Sequence, residues 1–166
     1  SLFFSPKAPL GGPGGIIWGA GPVFLIPTAT DDLLGSEKFG IGPTIVLLKQ
    51  QGGWTYGALA NHIWSVADVG GGDDRADVNA TFLQPFLSCT TKDAWTFGIN
   101  TESTYDWEAE EWSVRITFTV AKLMRIGGGG DQPVNITGGV RYWADSPDGG
   151  PEGFGFRFVV TLLFPK

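Results

Sequence analysis

Four charged residues offer the most definite chemistry in this chain: Glu102, Arg115, Arg141 and Arg157. Each sits among alternating apolar and polar residues, always in the polar set. A guanidinium presents a rigid fork of donors that pairs with carboxylates and other anions. The four therefore read either as an ion-pair network or as a constriction that selects anions and polar groups. Asp73, Asp74 and Asp77 crowd one stretch and could share Ca²⁺ or Mg²⁺, but EF-hand spacing is missing, so a hydrated acidic rim is the plainer reading and no metal is assigned. His62, the one histidine, has Asn61 before it and Ser65 three positions later. In an extended strand Asn61 and His62 point to opposite faces, so a Ser-His-Asn hydrolase centre is not expected and no catalytic residue is assigned. Cys89 is alone, which excludes an internal disulfide, and no zinc, phosphate-loop or dinucleotide motif occurs, so no cofactor is expected.

The elements that position these groups are strands. With 26 Gly, 11 Pro, 12 Phe and 7 Trp in 166 residues, and no sustained helical period, the composition favours strands and turns. Turn clusters leave eight segments near 16–28, 38–50, 54–66, 78–91, 94–105, 112–125, 133–144 and 153–164. The last is the clearest. Phe154, Phe156, Phe158, Val160, Leu162 and Phe164 share one face, opposite Gly155, Arg157 and Thr161. Segment six sets Val114, Ile116, Phe118 and Val120 against Arg115, Thr117 and Thr119, while segments five and seven put Glu102 and Arg141 on their polar faces.

A soluble sandwich or lipocalin-like barrel also alternates with period two, but it would have to crowd the Phe stripe into a narrow interior. A membrane barrel turns that stripe outward, and at a 45° tilt it covers about 25 Å of hydrocarbon. The longest apolar runs fall well short of the roughly 20 residues of a transmembrane helix, so any crossing must be made by a closed barrel. All seven Trp lie near segment ends, as expected of two interfacial girdles. Alternate connections, 29–37, 67–77, 106–111 and 145–152, hold 14 of the 17 carboxylates, all but Asp93, Glu102 and Asp131. The opposite end carries Lys7, Lys49, Lys92, Arg125 and Lys166 beside shorter turns. Outer-membrane barrels keep short turns in the periplasm, so the acidic loops are expected outside. The net charge of −6 argues against nucleic acid as a partner.

The expected architecture is thus a single all-β domain over 1–166, an antiparallel up-and-down transmembrane β-barrel with eight strands in this chain. Residues 1–15 read as the end of a preceding strand and its turn, so the eight strands may be counted as the C-terminal part of a larger barrel. The blocks 21–35 (GPVFLIPTATDDLLG), 54–62 (WTYGALANH), 100–107 (NTESTYDW) and 161–166 (TLLFPK) resemble proteobacterial outer-membrane transporter proteins, some of which are named for a phenol-degradation (MetA) pathway. Members of that family are longer, with a signal peptide and further N-terminal strands. The resemblance implies a Gram-negative outer-membrane location and passage of small hydrophobic or aromatic molecules. The closing strand ending at Phe164 resembles the signal read by barrel-assembly machinery. Membrane lipid and lipopolysaccharide are the expected surroundings. Two functions are compatible with these readings: a passive channel or transporter for small-molecule cargo, and a structural or surface-interaction barrel with a plugged lumen.

Overall fold

The computed structural model describes residues 1–27, 38–68, 76–126 and 132–164. They form one antiparallel sheet of eight strands in sequence order: β1 Ile16–Leu25, β2 Lys38–Gln51, β3 Trp54–Asp68, β4 Asn79–Thr90, β5 Trp95–Asp106, β6 Glu111–Ile126, β7 Gln132–Asp145 and β8 Gly153–Leu162. Every strand overlaps its sequence expectation, with ends shifted by up to three residues. The sheet is not closed, because β1 and β8 do not pair with one another. Residues 2–4 instead add a short antiparallel stretch to the free edge of β1, with Leu2 and Phe4 donating to the carbonyls of Pro22 and Ala20.

The turns explain the tight up-and-down order. Gly52 and Gly53 both take positive φ, 58° and 88°, as a two-residue hairpin of the primed type needs between twisted strands. At the other end Asp106 accepts hydrogen bonds from the amides of Glu108 and Ala109 at 2.9 and 3.2 Å and ties the β5–β6 turn. Lys38 is buried and bridges Asp68 and Asp77 at 2.9 and 2.8 Å, and Ser65 also donates to Asp77 at 3.1 Å. This cluster joins the ends of β2 and β3 to the segment entering β4.

Register sorts the side chains into two unlike faces. Across the later strands, Phe97 pairs with Val120, Ile99 with Phe118, Phe118 with Val140 and Val140 with Phe156, so one face is a continuous apolar surface. Its residues are exposed: Phe154 70%, Phe156 81%, Phe158 73%. The concave face is polar along β5–β8, where Glu102, Arg115, Thr117, Arg141 and Arg157 point inward. Among the described residues the buried hydrophobic side chains are Val23 on the concave face and Val134, which by register lies on the apolar face beside Leu162, whereas Lys38, Thr44 and Thr117 are also buried. A sheet folded in water buries its apolar face; here that face is the exposed one.

Glycines let the backbones of β2 and β3 approach closely. A Cβ on Gly42 would lie 1.6 Å from the carbonyl oxygen of His62, and one on Gly57 would lie 2.2 Å from that of Leu47. Only glycine permits such backbone approach. This packed, mainly apolar end contrasts with the polar inner face of β5–β8.

Candidate functional site

Three sequence-predicted site residues, Glu102, Arg115 and Arg141, and the fourth, Arg157, line one cleft of about 410 Å³ on the concave face. Adjacent strands bring them there. Glu102 is directly opposite Arg115 in the β5–β6 ladder, and the two side chains form an ion pair with each about 30% exposed. Arg141 lies opposite Thr117 on β6 and Gly155 on β8. A Cβ at position 155 would come within 2.4 Å of Arg141 Nε, so the missing side chain makes the channel along which Arg141 runs. Arg157 is opposite Gly139 and is the last of the series toward the open edge.

The three arginines are not equivalent. Arg115 is neutralised by Glu102. Among the described residues neither Arg141 nor Arg157 is paired with a carboxylate. Arg141 is instead stacked on the indole of Trp143, with its guanidinium carbon 4.8 Å from the ring centroid; Arg115 approaches the same ring at 5.9 Å. A cation over an indole is held by the negative ring face, so Trp143 orients both forks.

Trp143 is a residue whose role the segment-end pattern did not indicate. Trp18, Trp54, Trp64, Trp95 and Trp112 follow the convex face by register, but Trp143 shares parity with Arg141 and turns inward. The signal was present in that parity. The opposite wall of the cleft was also missed: Val46, Leu59 and Phe86 supply apolar surface, with Gln84, Ser88 and Asn100 between. On the convex face the ammonium of Lys122 lies 4.8 Å from the ring centroid of Trp95, its partner in the β5–β6 ladder.

The remaining candidates separate. His62 lies on the convex face, where its Nδ1 is 2.7 Å from Thr81 Oγ1 and its ring is 4.2 Å from that of Trp64. Thr81 also accepts from Trp107 Nε1 at 2.9 Å. Ser65 is on the other face, bonded to Asp77, and the two do not meet. Asp77 is engaged by Lys38 and Ser65, and the hydrogen bond from the Lys38 ammonium holds its carboxyl below the ordinary aspartate value. Asp73 and Asp74 lie outside the described residues, as do the glycine runs 70–72 and 127–130 and the loop 29–37. Among the described residues no group of three His, Cys, Asp or Glu side chains is arranged to hold a metal ion. No family model, curated protein or solved structure matches this chain.

Proposed function

We propose that this chain forms wall strands of a Gram-negative outer-membrane β-barrel whose lumen is lined by the Arg115–Arg141–Arg157 face, and that the barrel is a passive channel or transporter for small molecules. The observation that carries the reading is the facing of β5–β8: a continuous exposed stripe of Phe, Val, Leu and Ile outside, and Thr, Arg and Glu inside. In hydrocarbon that surface is the favourable one, while an arginine exposed at the bilayer centre costs about 2–4 kcal/mol. Inward-facing arginines avoid that cost. Lys122 beside Trp95 suits the interfacial girdle, where a long cationic side chain reaches toward headgroups from an apolar stem.

A bilayer leaves no open sheet edge, so the free edges of β8 and of residues 2–4 have to be joined. Both edges run in the same direction, since each is antiparallel or an odd number of antiparallel steps away from β1. An all-antiparallel wall joining them takes an odd number of further strands. The mass of the native protein in detergent tells whether one longer chain or several chains supply them.

The Glu102–Arg115 pair and the close backbone approach at Gly42 and Gly57 favour one further reading, a structural barrel with a filled lumen. Recording from the longest native form in planar bilayers separates the two. A channel that loses anion preference and changes conductance when Arg115, Arg141 and Arg157 are all replaced by Ser supports passage, because fixed charges in a constriction govern local ion concentration. No conductance at all leaves the structural barrel.

A further inference from the structure

The cleft has two chemically different walls. One is cationic: Arg141 and Arg157, without carboxylate partners among the described residues, beside the neutralised Arg115. The other is apolar: Val46, Leu59 and Phe86. Either wall alone has an ordinary explanation, charge repulsion relieved by water for the first and packing for the second. Together, across one cavity, they are unlike a simple ion filter, which gains nothing from apolar surface. They are also unlike an apolar conduit, which would not line one wall with guanidiniums. From this juxtaposition the geometry points to a binding site for small amphiphilic monocarboxylates, with the carboxylate on Arg141 and Arg157 and the hydrocarbon body against Leu59 and Phe86.

The physical case has three parts. Arginine donates two parallel N–H···O bonds to a carboxylate, stronger than neutral hydrogen bonds and demanding in geometry. Arg141 is already oriented by Trp143 and by the space above Gly155, so less side-chain freedom is lost on binding. Burying the ligand's hydrocarbon contributes about 25 cal/mol per Å² of apolar surface. The volume of about 410 Å³ lies at the small end of the roughly 300–1,000 Å³ typical of ligand pockets, which suits a short acid. The polar floor of Gln84, Ser88 and Asn100 can take up the carboxylate as it moves along the wall.

This inference rests on reading the concave face as a lumen, but it concerns binding, so it can be tested apart from conduction. The native full-length protein in detergent is titrated with hexanoate, hexanol and acetate, and binding is followed by calorimetry with protein-free micelles as the blank for partitioning. The variant compared with it is Arg141→Gln/Arg157→Gln. Hexanoate is expected to bind at least tenfold more tightly than hexanol or acetate. The double variant should lose at least tenfold in hexanoate affinity and leave hexanol unchanged, whereas Leu59→Asn should weaken hexanoate and leave acetate unchanged. Equal binding of hexanoate and hexanol, or of hexanoate and acetate, overturns the proposal, and the wild-type series decides this even where a variant fails to fold. Selective hexanoate binding by a protein that carries no current would leave the site standing and remove transport. A conducting channel without hexanoate selectivity would do the opposite.

Discussion

Replacing Phe158 by Arg separates a membrane wall from a water-facing sheet, because the two environments predict effects of different size. Phe158 is the middle residue of the same-face series from Phe154 to Leu162, four residues from either end. At about 3.3 Å per residue and a tilt near 45°, it stands about 9 Å along the membrane normal from each, which is close to the centre of a 25 Å apolar band. It is 73% exposed and lies opposite Gly138, so neither a packed neighbour nor a partner side chain compensates a change there. In a bilayer the substitution should cost about 2–4 kcal/mol. In water, exchanging so exposed a side chain should stay within about 0.5 kcal/mol. Thr161→Arg on the opposite face serves as the control for charge and bulk, and Phe158→Leu, which keeps the site apolar, should cost less than about 1.5 kcal/mol. Reversible guanidinium unfolding in phospholipid vesicles, followed by tryptophan fluorescence, measures all three. Equal costs for Phe158→Arg and Thr161→Arg would refute the assignment of faces.

Three other outcomes follow from the same geometry. With Cys89 changed to Ser, a cysteine introduced at Asp148 should react with an impermeant maleimide on intact cells and one at Lys92 should not; the reverse labelling would mean that the acidic rim faces the periplasm. A double-mutant cycle on Glu102→Gln and Arg115→Gln should give a coupling of about 1–2 kcal/mol, above the range of about 0.2–1 for fully exposed pairs, because each partner is only about 30% exposed; zero coupling would show that the pair contributes nothing. The depressed Asp77 carboxyl contributes stability that is present above the ordinary aspartate pKa of about 3.9 and is lost as pH falls through its lower folded value. The stability difference between the wild type and Asp77→Asn should therefore shrink at the acid end of a titration, and a difference constant across the acidic range would exclude the Lys38 contact as its source.

Much of the fold was legible because period-two patterning and glycine-rich turns are local. Segments five to eight alternate so regularly that their faces could be assigned from parity, and parity placed Arg115, Arg141, Arg157 and Glu102 on one side. The same rule put Asn61 and His62 on opposite faces. The early strands were harder to read. Leu47-Leu48 and Phe86-Leu87 place apolar groups on both faces, and in the folded sheet the inward members Leu48 and Phe86 belong to an apolar interior rather than to a break in the pattern.

What the sequence alone determined was therefore strand number, order and facing, since each depends on neighbours one or two residues away or on turns between consecutive strands. Only the tertiary structure decided which inward groups meet. Glu102 neutralises Arg115 because register places them directly opposite, and Arg141 reaches Trp143 past a gap left by Gly155 on the next strand. The apolar wall and the arginines line one cleft although they come from strands at opposite ends of the sheet, an approach that no local pattern encodes. Distances across a concave surface depend on the summed twist and curvature of all the strands between, so the two-walled cleft is a property of the folded sheet.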